Sequence, residues 1–129
     1  MNKHPIDAWH EVLATRDPAQ LAGLLADEVV FHSPVVHTPQ AGRALTQAYL
    51  MAAAQVLGNE SFRYQREVIG ERDAALEFVT ELDGLTINGV DLIRWNDDGL
   101  IVDFKVMLRP LKAVNHVHQM MAAMLAANR

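Results

Sequence analysis

The chain has 129 residues, of which 50% are hydrophobic and 21% charged, and its formal net charge is -5. This length and apolar content predict a single domain over residues 1–129 with a full hydrophobic core. Nucleic acid and anionic membrane surfaces are not expected as main partners, because both require a concentrated positive charge that the sequence lacks. With no cysteine, the chain can form neither a disulfide framework nor a thiolate nucleophile or sulfur-rich metal site.

The sequence carries no export or membrane signal. Its first residues lack the apolar run of a signal peptide, and no stretch approaches the ~20 consecutive apolar residues that a membrane span needs. We therefore expect a soluble, cytoplasmic protein without a membrane partner.

The N-terminal half is predicted to be mainly helical. Apolar residues recur at helical spacing from Pro5 to Arg16, which indicates an amphipathic helix that presents Trp9 to the interior. Asp17 and Pro18 suit the N-cap and the first position of a short second helix. The elements expected next are a strand over 29–33, a loop over 34–41, a third helix over 44–57 and a strand over 62–69.

Three consecutive strands in the C-terminal half organise the predicted fold. The turn signals Asp83-Gly84 and Asn96-Asp97-Asp98-Gly99 separate them, so the strands should pair as antiparallel hairpins. A two-residue turn at Asp83 and Gly84 fixes the register and places Leu76 opposite Asp91. Because side chains alternate along a strand, Asp91 then lies on a largely apolar face. That face also carries Leu76, Phe78, Thr80, Ile87, Ile93 and Trp95.

The remaining elements define the fold class. A fifth strand over 100–108 has one wholly apolar face, and a closing helix over 111–128 should bury Leu111, Val117 and Met121 among others. Helices that come first and a meander of strands that follows predict an α+β fold. We expect a cone-shaped, curved antiparallel sheet wrapped around the N-terminal helices, with a C-terminal helix and a cavity inside the cone.

This order of elements resembles the nuclear transport factor 2-like superfamily, in particular its SnoaL-like and ketosteroid isomerase-like members. The residues that carry the resemblance run from Asp17 to Phe31, through Gly42-Arg43, and from Gly89 to Ile101. The likeness covers nearly everything before Pro110 and implies the cone fold. It does not imply one activity, because this fold hosts many reactions as well as non-catalytic roles.

Individual family positions test the possible activities. The resemblance to ketosteroid isomerase places its oxyanion-hole tyrosine at Trp9, its aspartate base at Ser33 and its oxyanion-hole aspartic acid at Asp91. Ser33 cannot act as a carboxylate base, so steroid isomerisation by that mechanism is not expected, although Trp9 could donate through its indole N–H. The Arg-x-Asp arrangement of the epoxide hydrolases is absent, since position 89 is glycine.

Asp91, Trp9 and His32 are the candidate catalytic residues. A carboxyl among apolar side chains is costly unless it is protonated or hydrogen-bonded, which favours Asp91 as an acid; the alternative is a structural acid tied to Trp9 or to the backbone. His32 is the candidate base, although alternation points it outward. The side chains expected to line the ligand cavity are Phe31, Ser33, Tyr49, Phe62, Phe78, Ile87, Ile93, Phe104, Val106 and Leu108.

No metal site and no cofactor are expected. His116 and His118 are two residues apart on a helix and so lie on different sides of it, which makes them a poor metal pair. His4 and His37 are interpreted as solvated loop residues.

Two functions remain open. The first hypothesis is a cofactor-free isomerase, cyclase or dehydratase that acts on a flat, apolar carbonyl compound. The alternative is a non-catalytic module of the same fold that binds a small hydrophobic molecule or supports dimerisation. A homodimer is expected through the outer sheet face, which carries Val79, Val90, Leu92 and Met107 with the flanking charges Glu77, Glu81, Arg94, Lys105 and Arg109.

Overall fold

The computed structural model describes residues 3–127. In chain order its elements are α1 (Pro5–Thr15), α2 (Pro18–Leu24), β1 (Leu25–His32), β2 (Gln40–Ala41), α3 (Arg43–Leu57), β3 (Arg63–Ile69), β4 (Asp73–Leu82), β5 (Leu85–Trp95), β6 (Ile101–Arg109) and α4 (Leu111–Ala127). The predicted order of helices and strands is confirmed, with the short strand β2 as an addition. The predicted end of the last helix at Asn128 lies outside the described residues.

The strands form one curved, six-stranded sheet in the order β2-β1-β6-β5-β4-β3. The predicted α+β fold is confirmed, but the sheet is not wholly antiparallel. Strands β3 to β6 form an antiparallel meander, whereas β1 runs parallel to β6. The reason is topological: the meander leaves β6 at an edge, and β1 reaches that edge through a long connection rather than a hairpin.

The turn between β4 and β5 sets the register of the central hairpin. Asp83 and Gly84 have φ angles of 51° and 82°, the left-handed conformation that a tight two-residue hairpin turn requires. Leu76 consequently pairs with Asp91, and Thr80 pairs with Ile87, as the sequence predicted. Asp91 is thereby fixed on the inner face of the sheet.

The core lies between the inner face of the sheet and the helices. Trp9 of α1 meets Phe104 of β6 edge to face, with the ring centres 4.8 Å apart. Phe31, Phe78 and Phe104 are fully buried around this contact. These rings form the apolar floor beneath α1, which is where the predicted cone cavity lies.

Three local predictions have different outcomes. Asp17 caps α2, because its side chain accepts from the backbone N–H of Ala19 at 2.9 Å. His4 is exposed and lies just before α1, as predicted for a solvated loop residue, and it also caps α1 by accepting from the N–H of Ile6. Leu111 is 75% exposed rather than buried, because α4 presents Ala113 of its first turn to the core instead.

Within residues 3–127, none of the helices is long and apolar enough to cross a membrane. A cytoplasmic location stays a prediction from the sequence.

Candidate functional site

Asp91 lies at the centre of β5 with Leu76 of β4 and Val106 of β6 as its cross-strand neighbours. It is only 5% exposed. Burial raises the pKa of the Asp91 carboxyl to about 7, and a hydrogen bond from Tyr64 offsets part of that rise. At neutral pH this carboxyl is therefore close to the midpoint of its titration, so it can hold a proton and donate it.

Tyr64 of β3 connects Asp91 to α1. Its hydroxyl donates to Oδ2 of Asp91 at 2.5 Å and accepts from the indole Nε1 of Trp9 at 2.9 Å. Burial raises the pKa of Tyr64 well above its usual range, and the nearby Asp91 charge raises it further. When the pH rises, Asp91 therefore loses its proton before Tyr64 does.

This chain of hydrogen bonds revises the expected role of Trp9. The sequence suggested that its indole N–H donates to a ligand beside Asp91. That N–H is already donated to Tyr64, so Trp9 orients the tyrosine hydroxyl. The hydroxyl of Tyr64 in turn occupies one oxygen of Asp91, which leaves Oδ1 as the oxygen that can carry a proton toward a ligand.

Sequence reasoning did not identify Tyr64. The pairing of β3 with β4 shifts register between Tyr64 and Arg66, and a longer turn precedes β4, so no hairpin rule fixes which β3 side chains face inward. The usable signal is the aromatic cluster, since Tyr64 packs edge to face against both Phe62 and Phe78. In the strand predicted over 62–69, two aromatics at alternate positions indicate a shared buried face.

An internal cavity reaches Asp91 from the open end of the cone. A volume of about 40 Å³ is open to the centre of a water molecule, which is room for a few waters at most. Six of the predicted site residues line it: Trp9, Phe62, Phe78, Asp91, Phe104 and Val106. The other lining residues are Leu13, Leu50, Ala53, Ala54, Leu57, Gly58 and Tyr64.

The remaining predicted residues do not line this cavity. Phe31 and Tyr49 pack against each other, with ring centres 5.6 Å apart, and fill that part of the core themselves. Ile87 and Ile93 are fully buried in the core. Ser33 and Leu108 line a separate surface depression beyond the end of β1.

His32 also lies outside the cavity. Its Nε2 is 3.0 Å from Oδ2 of Asp103, and both side chains border a depression on the outer face of the sheet. The outward direction that alternation indicated is the one observed. The expectation that His32 could act as the base on a ligand beside Asp91 therefore does not match the geometry.

A second, shallower depression forms the entrance to the cavity. It has a volume of about 330 Å³ and shares Leu13, Ala54, Gly58, Phe62 and Tyr64 with the cavity, so the two adjoin each other at these residues. We call it the entrance; its other lining residues are His10, Ala14, Arg16, Asn59 and Arg63. All the charged side chains that line the cavity and its entrance, apart from Asp91, are therefore at the outer end.

His10 and Glu67 form an ion-pair candidate at this entrance. Nε2 of His10 lies 2.5 Å from Oε1 of Glu67. The His10 ring lies beside the Tyr64 ring, with the centres 5.7 Å apart. A carboxylate on one ring nitrogen fixes the orientation of an imidazole and leaves the other nitrogen, Nδ1, for proton transfer.

Gly89 leaves room for the ring of Phe78, which lines the cavity. A Cβ atom at this position would overlap Cζ of Phe78 and would lie 2.7 Å from Cδ2 of Leu108. Any side chain at position 89 would therefore displace the Phe78 ring, which covers Gly89 from the neighbouring strand. The glycine that replaces the arginine of an Arg-x-Asp arrangement is thus required by the packing of Phe78 beside Asp91.

Among residues 3–127, no three His, Asp or Glu side chains lie close enough together to hold a metal ion. His116 is paired with Asp83 at 2.7 Å, which connects α4 to the β4–β5 turn.

Comparisons with known proteins agree with the fold. The family model for the SnoaL-like domain matches residues 6–104. A search of curated proteins gave no match. Among solved structures, a steroid delta-isomerase from Pseudomonas aeruginosa is 35% identical, with a TM-score of 0.90, and the match covers 96% of this chain and 90% of that chain.

Two further structures are similar. An uncharacterised bacterial protein with a cystatin-like fold from Silicibacter pomeroyi DSS-3 is 39% identical, with a TM-score of 0.85, over 92% of this chain and 83% of that chain. A nuclear transport factor 2-like protein of unknown function from Mesorhizobium loti is 24% identical, with a TM-score of 0.70, over 82% of this chain and 88% of that chain. The last likeness shows the fold alone.

Proposed function

The chain belongs to the family of SnoaL-like domains, and from this premise we propose that it is a cofactor-free isomerase or lyase that acts on a small carbonyl compound. The observation that carries the proposal is the hydrogen bond from Tyr64 to Asp91 in an apolar cavity, with burial raising the pKa of Asp91 to about 7. A protonated carboxyl in such surroundings can donate to an enolate oxygen. Ketosteroid isomerase is the established example of an enzyme that keeps an aspartic acid neutral for this purpose.

In this proposal His10 acts as the base, the role that Ser33 cannot fill. In the reaction, Nδ1 of His10 removes a proton from the carbon beside the carbonyl, and the C–H electron pair forms a C=C bond as the carbonyl oxygen takes the negative charge. Asp91 stabilises that oxygen by donating a hydrogen bond. When the substrate carries a double bond between its β- and γ-carbons, the intermediate is a dienolate. Return of the same proton from His10 to the γ-carbon then re-forms the carbonyl and moves the double bond to the α,β position, so no proton is gained or lost overall.

The volume of the cavity limits the size of the substrate. The similar Pseudomonas aeruginosa protein is described as a steroid delta-isomerase. Here the cavity offers about 40 Å³, whereas an engineered cavity that binds benzene measures about 150 Å³. Even one ring must therefore displace side chains such as Leu13 or Phe62 at the opening or extend into the entrance. We propose a one-ring substrate instead of a four-ring steroid.

The test uses cyclohex-3-en-1-one, whose conversion to the conjugated cyclohex-2-en-1-one is followed by ultraviolet absorbance. We expect the wild-type protein to accelerate the conversion. Asp91→Leu should lower the rate by about 10²-fold or more, because it removes the donor to the enolate oxygen. His10→Ala should lower it by about 10²-fold or more, because it removes the base. Asp98→Asn, a matched change at an exposed turn residue, should leave the rate unchanged.

The alternative is a ligand-binding module without catalysis. One observation favours it: the only imidazole near the cavity in the described part of the chain is at the entrance rather than beside Asp91. Phenols that bind to the cavity in calorimetry, together with no conversion of any β,γ-unsaturated ketone, would favour this alternative over the enzyme.

The outer sheet face is proposed to form a homodimer. Val90, Leu92 and Met107 lie on that face beside Val68 of β3, and Val68 and Met107 are 63% and 48% exposed. Acids and bases alternate around these apolar side chains, as in the Arg66–Glu77 and Arg94–Asp73 ion pairs. A two-fold axis allows such charges to meet opposite charges of a second copy. The apolar side chains would then be removed from water.

Sedimentation velocity tests the dimer. The wild-type chain should sediment at twice the 14.3 kDa chain mass. The double variant Leu92→Glu/Met107→Glu should sediment as a monomer, because it places four uncompensated carboxylates in the interface. Leu45→Glu, an equal change at an exposed residue of α3 on the helical side of the sheet, is the control and should remain dimeric. A double variant that keeps the dimer mass would exclude this face.

A further inference from the structure

Two arginines at the entrance have no carboxylate partner. Four other arginines, Arg43, Arg66, Arg72 and Arg94, each pair with an aspartate or glutamate. Among the described residues, Arg16 and Arg63 have no such partner within 4.0 Å; Arg109 at the end of β6 has none either, but it donates to the side chain of Asn88. In a chain with a net charge of -5, two unpaired cations beside an apolar cavity are a local reversal of charge.

The backbone holds Arg16 in place. Arg16 ends α1 in the left-handed conformation, with φ 56°, and its guanidinium donates to the carbonyl of Gly58 at the end of α3. A Cβ at position 58 would lie 2.8 Å from Nη2 of Arg16. The arginine thus occupies space that only a glycine leaves open, and its cation is held at the rim of the entrance.

Arg63 lines the entrance from the start of β3, whereas Arg16 reaches it from the end of α1. Arg63 precedes Tyr64 on β3, and its Nη1 lies 3.4 Å from the carbonyl of Ser61, a long contact that leaves most of its donors free. The acid closest in sequence on the same strand, Glu67, is engaged by His10. A guanidinium with free N–H groups is suited to bind a carboxylate by two parallel hydrogen bonds.

We propose that the natural ligand carries an anionic group, most simply a carboxylate, that binds between Arg16 and Arg63 while its ring enters the cavity. This inference rests on the proposed function, because the ring must present its oxygen to Asp91. The ligand class is therefore an aromatic or cyclic enone acid, apolar in the middle, with a carbonyl or phenolic oxygen at one end and an anion at the other. The oxygen of the ligand then meets Asp91 inside the cavity, and its anionic group meets Arg16 and Arg63 at the entrance.

Calorimetric titration of the full chain tests this class with paired probes. The probes are 4-hydroxyphenylacetate, 3-(4-hydroxyphenyl)propanoate and 4-(4-hydroxyphenyl)butanoate, each compared with its neutral amide, so that the spacing between the ends is varied at constant ring chemistry. At low salt we expect at least one acid to bind about fivefold more tightly than its amide, as a partly exposed ion pair gives. The difference should shrink at high salt, because exposed charges are screened.

Variants assign the effect to the arginines. Arg63→Gln should remove most of the preference for the acid and leave the affinity for the amide unchanged, whereas Lys112→Gln, an equal charge change on exposed α4, should alter neither. Arg16→Gln provides a second variant, at the end of α1. Acids and amides that bind equally would overturn the inference and leave the proposed function intact. A preference that survives both arginine variants would overturn it as well. If no probe of either kind binds, the proposed function itself fails.

Discussion

Replacing Asp91 with asparagine is expected to abolish a loss of about 4 kcal/mol in the free energy of unfolding, which the wild type shows between acidic and mildly alkaline pH. The reason is the pKa of the Asp91 carboxyl, which burial raises from 3.8 to about 7. A difference of about three pKa units corresponds to roughly 4 kcal/mol of free energy.

The sign follows from proton linkage. Below pH 3.8 the carboxyl is protonated in both states, so burial carries no charge penalty. As the pH rises toward 7, the unfolded chain releases the proton and the folded chain retains it, so wild-type stability falls by about 1.4 kcal/mol per pH unit. Above about pH 7 both states are ionised and the full penalty is present. Asp91→Asn has no proton to release and should show no such loss.

Urea denaturation at about pH 4, 6 and 8 measures this difference. We expect Asp91→Asn to be close to the wild type or slightly less stable at the lowest pH, because its amide is an imperfect replacement for the carboxyl beside Tyr64. At the highest pH it should be clearly more stable than the wild type. Asp98→Asn, at an exposed turn residue, should follow the wild-type curve. A constant difference between Asp91→Asn and the wild type at every pH would contradict a raised pKa at Asp91.

Replacing Tyr64 with phenylalanine is expected to raise the pKa of Asp91 above its wild-type value. Tyr64 donates a hydrogen bond to the charged carboxylate and so lowers that pKa, while burial remains the larger cause in the opposite direction. The variant also leaves Nε1 of Trp9 and Oδ2 of Asp91 without their partner. A buried polar group that loses its partner costs about 1–3 kcal/mol of stability.

Activity should respond in a way that a purely structural tyrosine would not produce. In the proposed reaction Asp91 must be protonated, so the rate should fall as the pH rises through about 7. We call this fall in rate the alkaline limb of the pH–rate profile. In Tyr64→Phe the alkaline limb should move to higher pH, because the carboxyl of Asp91 keeps its proton to a higher pH. The maximal rate should also fall, because Tyr64 no longer orients Asp91. The measurement is a pH–rate profile of enone isomerisation.

Tyr49→Phe is the matched control for this variant. Tyr49 is partly buried and packs against Phe31, but it does not line the cavity. Its loss of a hydroxyl should leave the alkaline limb where the wild type has it. An unchanged limb in Tyr64→Phe would exclude Tyr64 as the residue that positions Asp91.

The elements of this site that follow local rules could be predicted from the sequence. The Asp83-Gly84 turn sets the register of β4 and β5, and from it follow the inward position of Asp91 and its pairing with Leu76. The order of elements and the α+β class followed from periodicity and turn residues. These features depend on neighbours along the chain, which is why a single sequence contains them.

The contacts across the cone could not be predicted in this way. Tyr64 reaches Asp91 across 27 residues of sequence, and His10 reaches Glu67 across 57. No turn rule connects these segments, and the irregular register of β3 hides which of its side chains face inward. The expectation that Phe31 and Tyr49 line the cavity was wrong for a related reason. Their rings pack against each other and fill part of that space.

The proposed chemistry depends above all on a carboxyl of Asp91 that can hold a proton at neutral pH. The most direct measurement is a carbon-13 NMR titration of the Asp91 side-chain carboxyl in the wild-type protein, assigned by comparison with Asp91→Asn. We expect this carboxyl to titrate at about 7. A resonance that titrates at or below about 4, the ordinary range of an aspartate, would show an ionised acid held by Tyr64 and would contradict the proposed role of Asp91.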